Sequence, residues 1–196
     1  MFESILCQVS EYDSEVLELL IELAVEIARE GREGRRIGTI FMLGDEQAVL
    51  ERSRSLILDP LAGHPEAALH ITNLNLRGTI KELAQLDGGF VVSGKGTFLS
   101  ACRYLGAVTT EVEMPLGFGS RHIAAANMSA VTNAVGIVVS ESSVVRLFCH
   151  GNLVAEVIPE LWMIDRAAHL RGLVKKEEIG QLTVLTPATR PSSRPK

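Results

Sequence analysis

The sequence predicts a single α/β (α+β) domain with a central mixed β-sheet flanked by helices. Three observations carry this. A long amphipathic helix runs directly into an apolar strand, a helix of small residues feeds a second strand of that kind, and the chain then continues through short strands joined by tight turns.

The elements follow in order. In DSEVLELLIELAVEIAREGREGRR, Val16, Leu19, Leu20, Leu23 and Ile27 fall at helical spacing, with Glu15, Glu18, Glu22 and Glu26 on the polar side. Asp13 or Ser14 can cap its start and Gly31 can end it. RRIGTIFMLGD reads as a strand buried on both faces and stopped by Gly44 and Asp45. Residues 45–75 offer only a loop with one or two short elements. LRGTIKELAQLDG predicts a helix with Thr79 and Lys81 near its start and Leu83 facing inward. Phe90 to Ser93 predicts a strand, Gly94-Lys95-Gly96 a turn, and the segment after it either strand or short helix. Ser120 is suited to cap a helix from Arg121 to Asn133, with the small-residue body AAANMSAVTNA. The stretch VGIVVSESSVVRLFCHGNLVAEV then predicts three strands in a β-meander, turning at Glu141-Ser142-Ser143 and at His150-Gly151-Asn152. Residues 1–171 are expected to form the domain. Residues 172–196, charged and then rich in Pro and Ser, are expected to be a disordered tail.

Composition narrows the class. With 196 residues, 46% of them hydrophobic, the chain can bury a full core. A net charge of −5 and a pI near 5.6 argue against a surface that grips a nucleic-acid backbone, so an anion site must be small and focused. The start lacks a basic n-region, and no apolar run approaches the ~20 residues a bilayer demands. No nucleic-acid or membrane partner is expected, and the expected location is cytoplasmic. Cys7, Cys102 and Cys149 lack metal-site or disulfide spacing and read as reduced, buried residues. His64, His70, His150 and His169 show no spacing for shared ligation.

Three segments can carry chemistry. In GFGSRHIAAANMS, Gly117 and Gly119 permit close approach, while backbone amides, the helix dipole, Arg121 and His122 converge as they do on a phosphate; a capped helix with a solvated arginine fits the same residues. In LDGGFVVSGKG, Asp87 before two glycines could hold a divalent cation or take a proton from a hydroxyl, though a silent Asp-Gly turn reads identically. The Gly-Lys-Gly run matches neither a dinucleotide loop nor a P-loop. Ser140-Glu141 stands at the carboxyl end of a strand, where ligands collect, and equally reads as a hairpin turn.

Taken in order, LDGGFVVSGKGTFLSACRYLGA, GFGSRHIAAANMSAVTNAVGIVVSE and VVRLFCHGNLV resemble the diadenylate cyclase family, the catalytic domain also found in the DNA-integrity scanning protein. With GRRIGTIFMLGD upstream, the likeness covers roughly residues 14–158. Of the family signature Asp-Gly-Ala, Asp87 and Gly88 match and Gly89 replaces alanine. Of Gly-Thr-Arg-His-Arg, Gly119, Arg121 and His122 match, Ser120 keeps the threonine hydroxyl, and Ile123 replaces the second arginine. The archaeal-type branch often carries an aliphatic residue there followed by Ala-Ala-Ala, as in Ala124 to Ala126.

The resemblance implies condensation of two ATP molecules into cyclic di-AMP with release of two pyrophosphates, in a homodimer or higher homo-oligomer that meets face to face. It implies catalytic roles for Asp87, Arg121 and His122. Gly88, Gly89, Tyr104, Gly119, Ser120, Ser140 and Glu141 would bind substrate, with Tyr104 near the adenine or else a core aromatic. Mg2+ or Mn2+ would be held by Asp87, Glu141 and His122. The DNA-scanning role is not carried over, because the sequence has no counterpart of that protein's DNA-binding region. A nucleotide-binding module of the same fold without turnover is the alternative, motivated by Ile123 and Gly89.

Overall fold

The structure, a computed structural model, describes residues 12–106, 112, 117–162, 174–179 and 182–187. The expectations for Cys7, His169 and residues 188–196 lie outside the described residues. The chain divides into two compact units, Met1–Pro159 and Glu160–Lys196.

Helix α1 (Ser14–Glu30) begins at Asp13, whose carboxylate accepts from the Glu15 amide at 2.9 Å, and ends at Gly31 in a positive-φ conformation. Strand β1 (Thr39–Leu43) is buried along its whole length. The stretch with little sequence signal holds α2 (Glu46–Glu51), β2 (Ser53–Ser55) and a 3-10 turn, Glu66–Leu69. Helix α3 (Leu74–Leu83) starts earlier than its apolar spacing suggests, because Asn73 caps it by accepting from the Asn75 amide. Thr79 and Lys81 therefore lie in its middle and last turn. Leu83 is half-buried, and Leu76 and Ile80 are the residues that point inward. Strands β3 (Gly89–Val92) and β4 (Phe98–Leu105) follow, then α4 (Ser120–Val131), β5 (Val135–Val139), β6 (Val145–Cys149) and β7 (Asn152–Val157). Where a tail without order was expected, β8 (Val174–Ile179) and β9 (Leu182–Pro187) pair as an antiparallel ribbon. Among the described residues no helix is long and apolar enough to cross a membrane.

Seven strands form one sheet in the order β2-β4-β3-β1-β5-β6-β7. The β1–β3 pair is parallel and the other pairs are antiparallel, so the sheet is mixed as expected. Side chains alternate across it. Ile40, Met42, Val91 and Val138 share a core with Ala125, Ala126 and Met128 of α4. On the opposite face Phe41 stacks on Phe90 at 5.1 Å between centroids, and Phe98 meets both edge-on. Each of these buried rings contributes about 2 kcal/mol of transfer free energy.

The far edge is stapled rather than packed. Arg103 on β4 donates to the Ser53 hydroxyl and carbonyl at 2.7 and 2.8 Å and to the Leu50 carbonyl at 3.1 Å, which ties β2 and the end of α2 to the sheet. Asp59 accepts from the Ser100 hydroxyl and from the Ala101 and Leu61 amides, fixing the loop beyond β2. Between this edge and β1 the chain passes Gly88 at φ +100°, where an added Cβ would lie 2.7 Å from the Arg103 nitrogen and from the Cys102 carbonyl carbon. Cys102 itself takes a φ of +55°, beside a register shift between β3 and β4.

Gly88→Ala therefore forces either a backbone shift or a strained φ, with an expected loss of about 2–3 kcal/mol. Urea unfolding monitored by circular dichroism should show the midpoint falling with an unchanged slope. A wild-type midpoint would mean that β4 yields without cost.

Candidate functional site

Strand register aligns the chemistry-bearing segments along one end of the sheet. Phe41 pairs with Phe90 in parallel, which sets the first residue of β3, Gly89, beside Ile40; Asp87 stands two residues before that strand, on the bend through Gly88. Thr39 pairs antiparallel with Val139, and the next step sets Gly38 beside Ser140. Gly38 and Ser140 thus adjoin at one end of the sheet, and Asp87 lies on the bend that leads into the neighbouring strand β3 at that same end. Two segments some fifty residues apart in sequence meet here because β1 lies between β3 and β5.

Helix α4 opens over the same end. Its cap is Gly119, in extended backbone with no side-chain cap bond, and Ser120 is the first helical residue rather than the cap expected from its hydroxyl. The His122 and Ile123 amides both reach back to the Gly119 carbonyl, at 3.0 and 3.3 Å. By position, the amides of Ser120 and Arg121 head the helix without an intrahelical acceptor, at the positive end of its dipole.

Arg121 lies across β1. Its Nη1 sits 3.4 Å from Glu141 Oε1, and an added Cβ on Gly38 would come within 2.8 Å of that same Nη1. The Glu141 carbonyl accepts from Arg36 Nη1 at 3.3 Å. The turn beneath it is tight: the Ser140 hydroxyl bonds the Ser142 hydroxyl and the Val144 carbonyl, and the Ser143 amide returns to the Ser140 carbonyl.

His122 is buried and packs edge-on against Phe118 and Phe148. Its Nε2 lies 3.2 Å from Arg146 Nη1. A guanidinium only donates, so Nε2 accepts and the ring proton falls on Nδ1, which meets no hydrogen-bond partner among the described residues. Burial lowers the His122 pKa from the ordinary histidine value, helped by the Arg146 and Arg121 charges and opposed by the Gly119 carbonyl and Glu156. Arg146 also ion-pairs with Glu156 at 2.6 Å and covers the Phe118 ring at 4.8 Å.

The remaining expected residues divide. Asp87 is exposed on its turn. Gly89 is buried, and a methyl there would sit 3.1 Å from the Ile40 carbonyl, so this chain's glycine suits the tight β1–β3 contact. Tyr104 is half-exposed on β4, with the Arg54 guanidinium 5.0 Å from its ring centroid, and is therefore not a core aromatic. Among the described residues no three His, Cys, Asp or Glu side chains gather closely enough to hold a metal ion. Asp87, His122 and Glu141 are accordingly not a preformed three-ligand centre, and the His122 lone pair is occupied by Arg146.

Sequence reading missed Gly38, Arg36 and Arg146, which reach the site through strand register. A signal for Arg146 was available, since it is a lone charge within the apolar run VVRLFC.

A family model described as "DisA bacterial checkpoint controller nucleotide-binding" matches residues 26–153. The chain is 45% identical over 150 residues to a protein of Methanocaldococcus jannaschii named diadenylate cyclase, covering 76% of this chain and 47% of that protein. It is 37% identical over 155 residues to the diadenylate cyclase of Haloferax volcanii, covering 78% and 56%. The chain thus spans about half the length of the curated relatives it matches. Among solved structures, a double mutant of DacA from Staphylococcus aureus superposes with a TM-score of 0.52 at 20% identity, over 81% of this chain and 97% of that one. A hypothetical membrane spanning protein from Bacillus cereus gives 0.52 at 17% identity, over 76% and 67%. These two likenesses show the fold.

Neutral, buried His122 has a pH consequence. Below the ordinary value of 6.5 the unfolded chain binds a proton at this position that the folded chain resists. The unfolded state then holds more protons, so stability is full above that value and falls as pH drops from it toward the depressed folded value. The thermal midpoint should fall between pH 7.5 and 5.5 by more in the wild type than in His122→Gln. Equal losses would assign the acid sensitivity elsewhere.

Proposed function

The chain belongs to the family of DisA-type nucleotide-binding domains, the diadenylate cyclases, and from that premise we propose that it condenses two ATP molecules into cyclic di-AMP with release of two pyrophosphates. What supports the proposal is the packing of Arg121 at the α4 mouth against Gly38 and Glu141, at the sheet end where the Asp87 bend leads into β3.

In each half of the reaction a ribose 3′-hydroxyl oxygen bonds to the α-phosphorus of the other nucleotide. The bond from that phosphorus to the bridging oxygen of pyrophosphate breaks, and the hydroxyl proton leaves. Asp87, an exposed carboxylate, takes that proton on this reading. The amides heading α4 and the Arg121 guanidinium, released from Glu141, hold the phosphates and offset charge on the departing pyrophosphate. Gly88 and Gly89 let the nucleotide lie against the backbone, and Tyr104 offers a ring face to the adenine. Buried His122, braced by Arg146, fixes the first turn of α4 and acts through the position of Arg121.

Hard divalent cations commonly use one or two carboxylates together with substrate phosphates. Asp87 and Glu141, both exposed, suit Mg2+ or Mn2+ in that way, and such an ion would neutralise phosphate charge. One chain holds one nucleotide, so a second copy facing it through a two-fold contact supplies the other, and ATP and a homodimer are the implied partners.

A second reading, nucleotide binding without turnover, is favoured by one observation: Ile123 is exposed at 43% where the family pattern carries a second arginine. Incubation with ATP and Mg2+ or Mn2+, followed by mass spectrometry, distinguishes the two. Cyclic di-AMP should form, and Asp87→Asn should reduce its rate by about a hundredfold or more while ATP binding stays near wild type. ATP binding with no product under either metal would establish the second reading in its place.

A further inference from the structure

The signature at the α4 mouth supplies one arginine where the family pattern has two, yet a second guanidinium reaches the site from another element. Arg36 precedes β1 and is exposed. Its Nη1 rests 3.3 Å from the Glu141 carbonyl, a neutral acceptor, and among the described residues no carboxylate lies within ion-pairing distance of it. Arg121 meets the same Glu141 through its carboxylate, at 3.4 Å. Two cations therefore meet one residue at the strand end, and among the described residues the charge of Arg36 has no carboxylate paired with it.

The same short segment makes room for the first cation. Gly38 lies beneath Arg121, where a Cβ would stand 2.8 Å from Nη1 and 3.0 Å from Cζ. The obstructed group is the end of a side chain, so a methyl at position 38 would displace the guanidinium while leaving the strand in place.

We propose that the Arg36–Gly38 segment is a wall of the triphosphate site, in which Arg36 serves as the second phosphate-binding cation in place of the arginine absent at position 123, and Gly38 is a positioning residue that seats Arg121. This rests on the nucleotide-condensing reading above and names the group that recognises the terminal phosphates. A guanidinium can bond phosphate oxygens in pairs, and loss of such a charged contact commonly weakens binding about tenfold or more.

The test is calorimetric titration of the full chain with α,β-methylene-ATP, which cannot turn over, and in parallel with AMP, which lacks the terminal phosphates. Arg36→Gln should weaken the triphosphate analogue about tenfold while AMP binding changes by less than about twofold. Arg35→Gln, an exposed neighbour, should leave both unchanged. Gly38→Ala should weaken the analogue in the wild-type background and have no further effect in Arg121→Ala, since a positioning residue has nothing left to place. Wild-type analogue binding in Arg36→Gln, or an equal loss for AMP, overturns the assignment of Arg36. An undiminished Gly38→Ala effect in the Arg121→Ala background overturns that of Gly38. If the wild-type chain binds neither ligand, the nucleotide reading itself falls, and this inference falls with it.

Discussion

The close seat of α4 on β5, next to the central strand β1, governs where everything else at this sheet end can stand. Gly136 presents no side chain to the helix, and a Cβ there would come within 3.0 Å of the Ala125 Cβ and 3.2 Å of its carbonyl oxygen. A glycine inside a strand costs about 0.5–1 kcal/mol relative to alanine. Here it lets a helix of small residues settle onto the backbone, with Ala125, Ala126 and Met128 filling the core beside Phe148. One turn before Ala125 comes Arg121, so this contact sets the height of the α4 mouth above Gly38 and the Ser140-Glu141 turn.

Electrostatics at the mouth then follow from geometry and magnitude. The Arg121–Glu141 pair is partly solvated, with side-chain exposures of 37% and 72%. Exposed pairs of this kind are worth about 0–1 kcal/mol, so on the proposed reading a phosphate bonding Arg121 in two places would displace Glu141 at small cost. His122 behaves differently. It is buried, neutral and held by Arg146, and it keeps its ring within the aromatic packing of Phe118 and Phe148. In a protein of net charge −5, the guanidinium groups of Arg36 and Arg121 thus gather at one strand end beside the Glu141 carboxylate.

The elements with strong periodicity were legible in the sequence: α1 with its Asp13 cap, the fully buried β1, and the β5–β6–β7 meander with its two turns. Short elements were not, because six residues of α2 or three of β2 carry too little period to register, and β2 is held by Arg103 rather than by its own propensity. The start of α3 depended on the Asn73 cap, and that of α4 on a glycine whose extended backbone served in place of the Ser120 hydroxyl. Of the site, the motif residues could be named one by one. The neighbours Gly38, Arg36 and Arg146 could not, since they come near Arg121, Glu141 and His122 only once β1 lies beside β5 and β6 folds back on it. The three metal ligands implied by the resemblance, Asp87, Glu141 and His122, do not form a cluster among the described residues, because a motif names donors without setting their separation.

On the reading proposed here, the site on one chain is half of a reaction centre: it holds one nucleotide, and the attacking hydroxyl comes from the other. Whether turnover needs two chains is read from cyclic di-AMP formation per chain as protein concentration is lowered, with sedimentation measured under the same conditions. Specific activity should fall as paired chains dissociate and should vanish with the last of the dimer. A specific activity that stays constant down to concentrations at which the chain is monomeric would contradict the account.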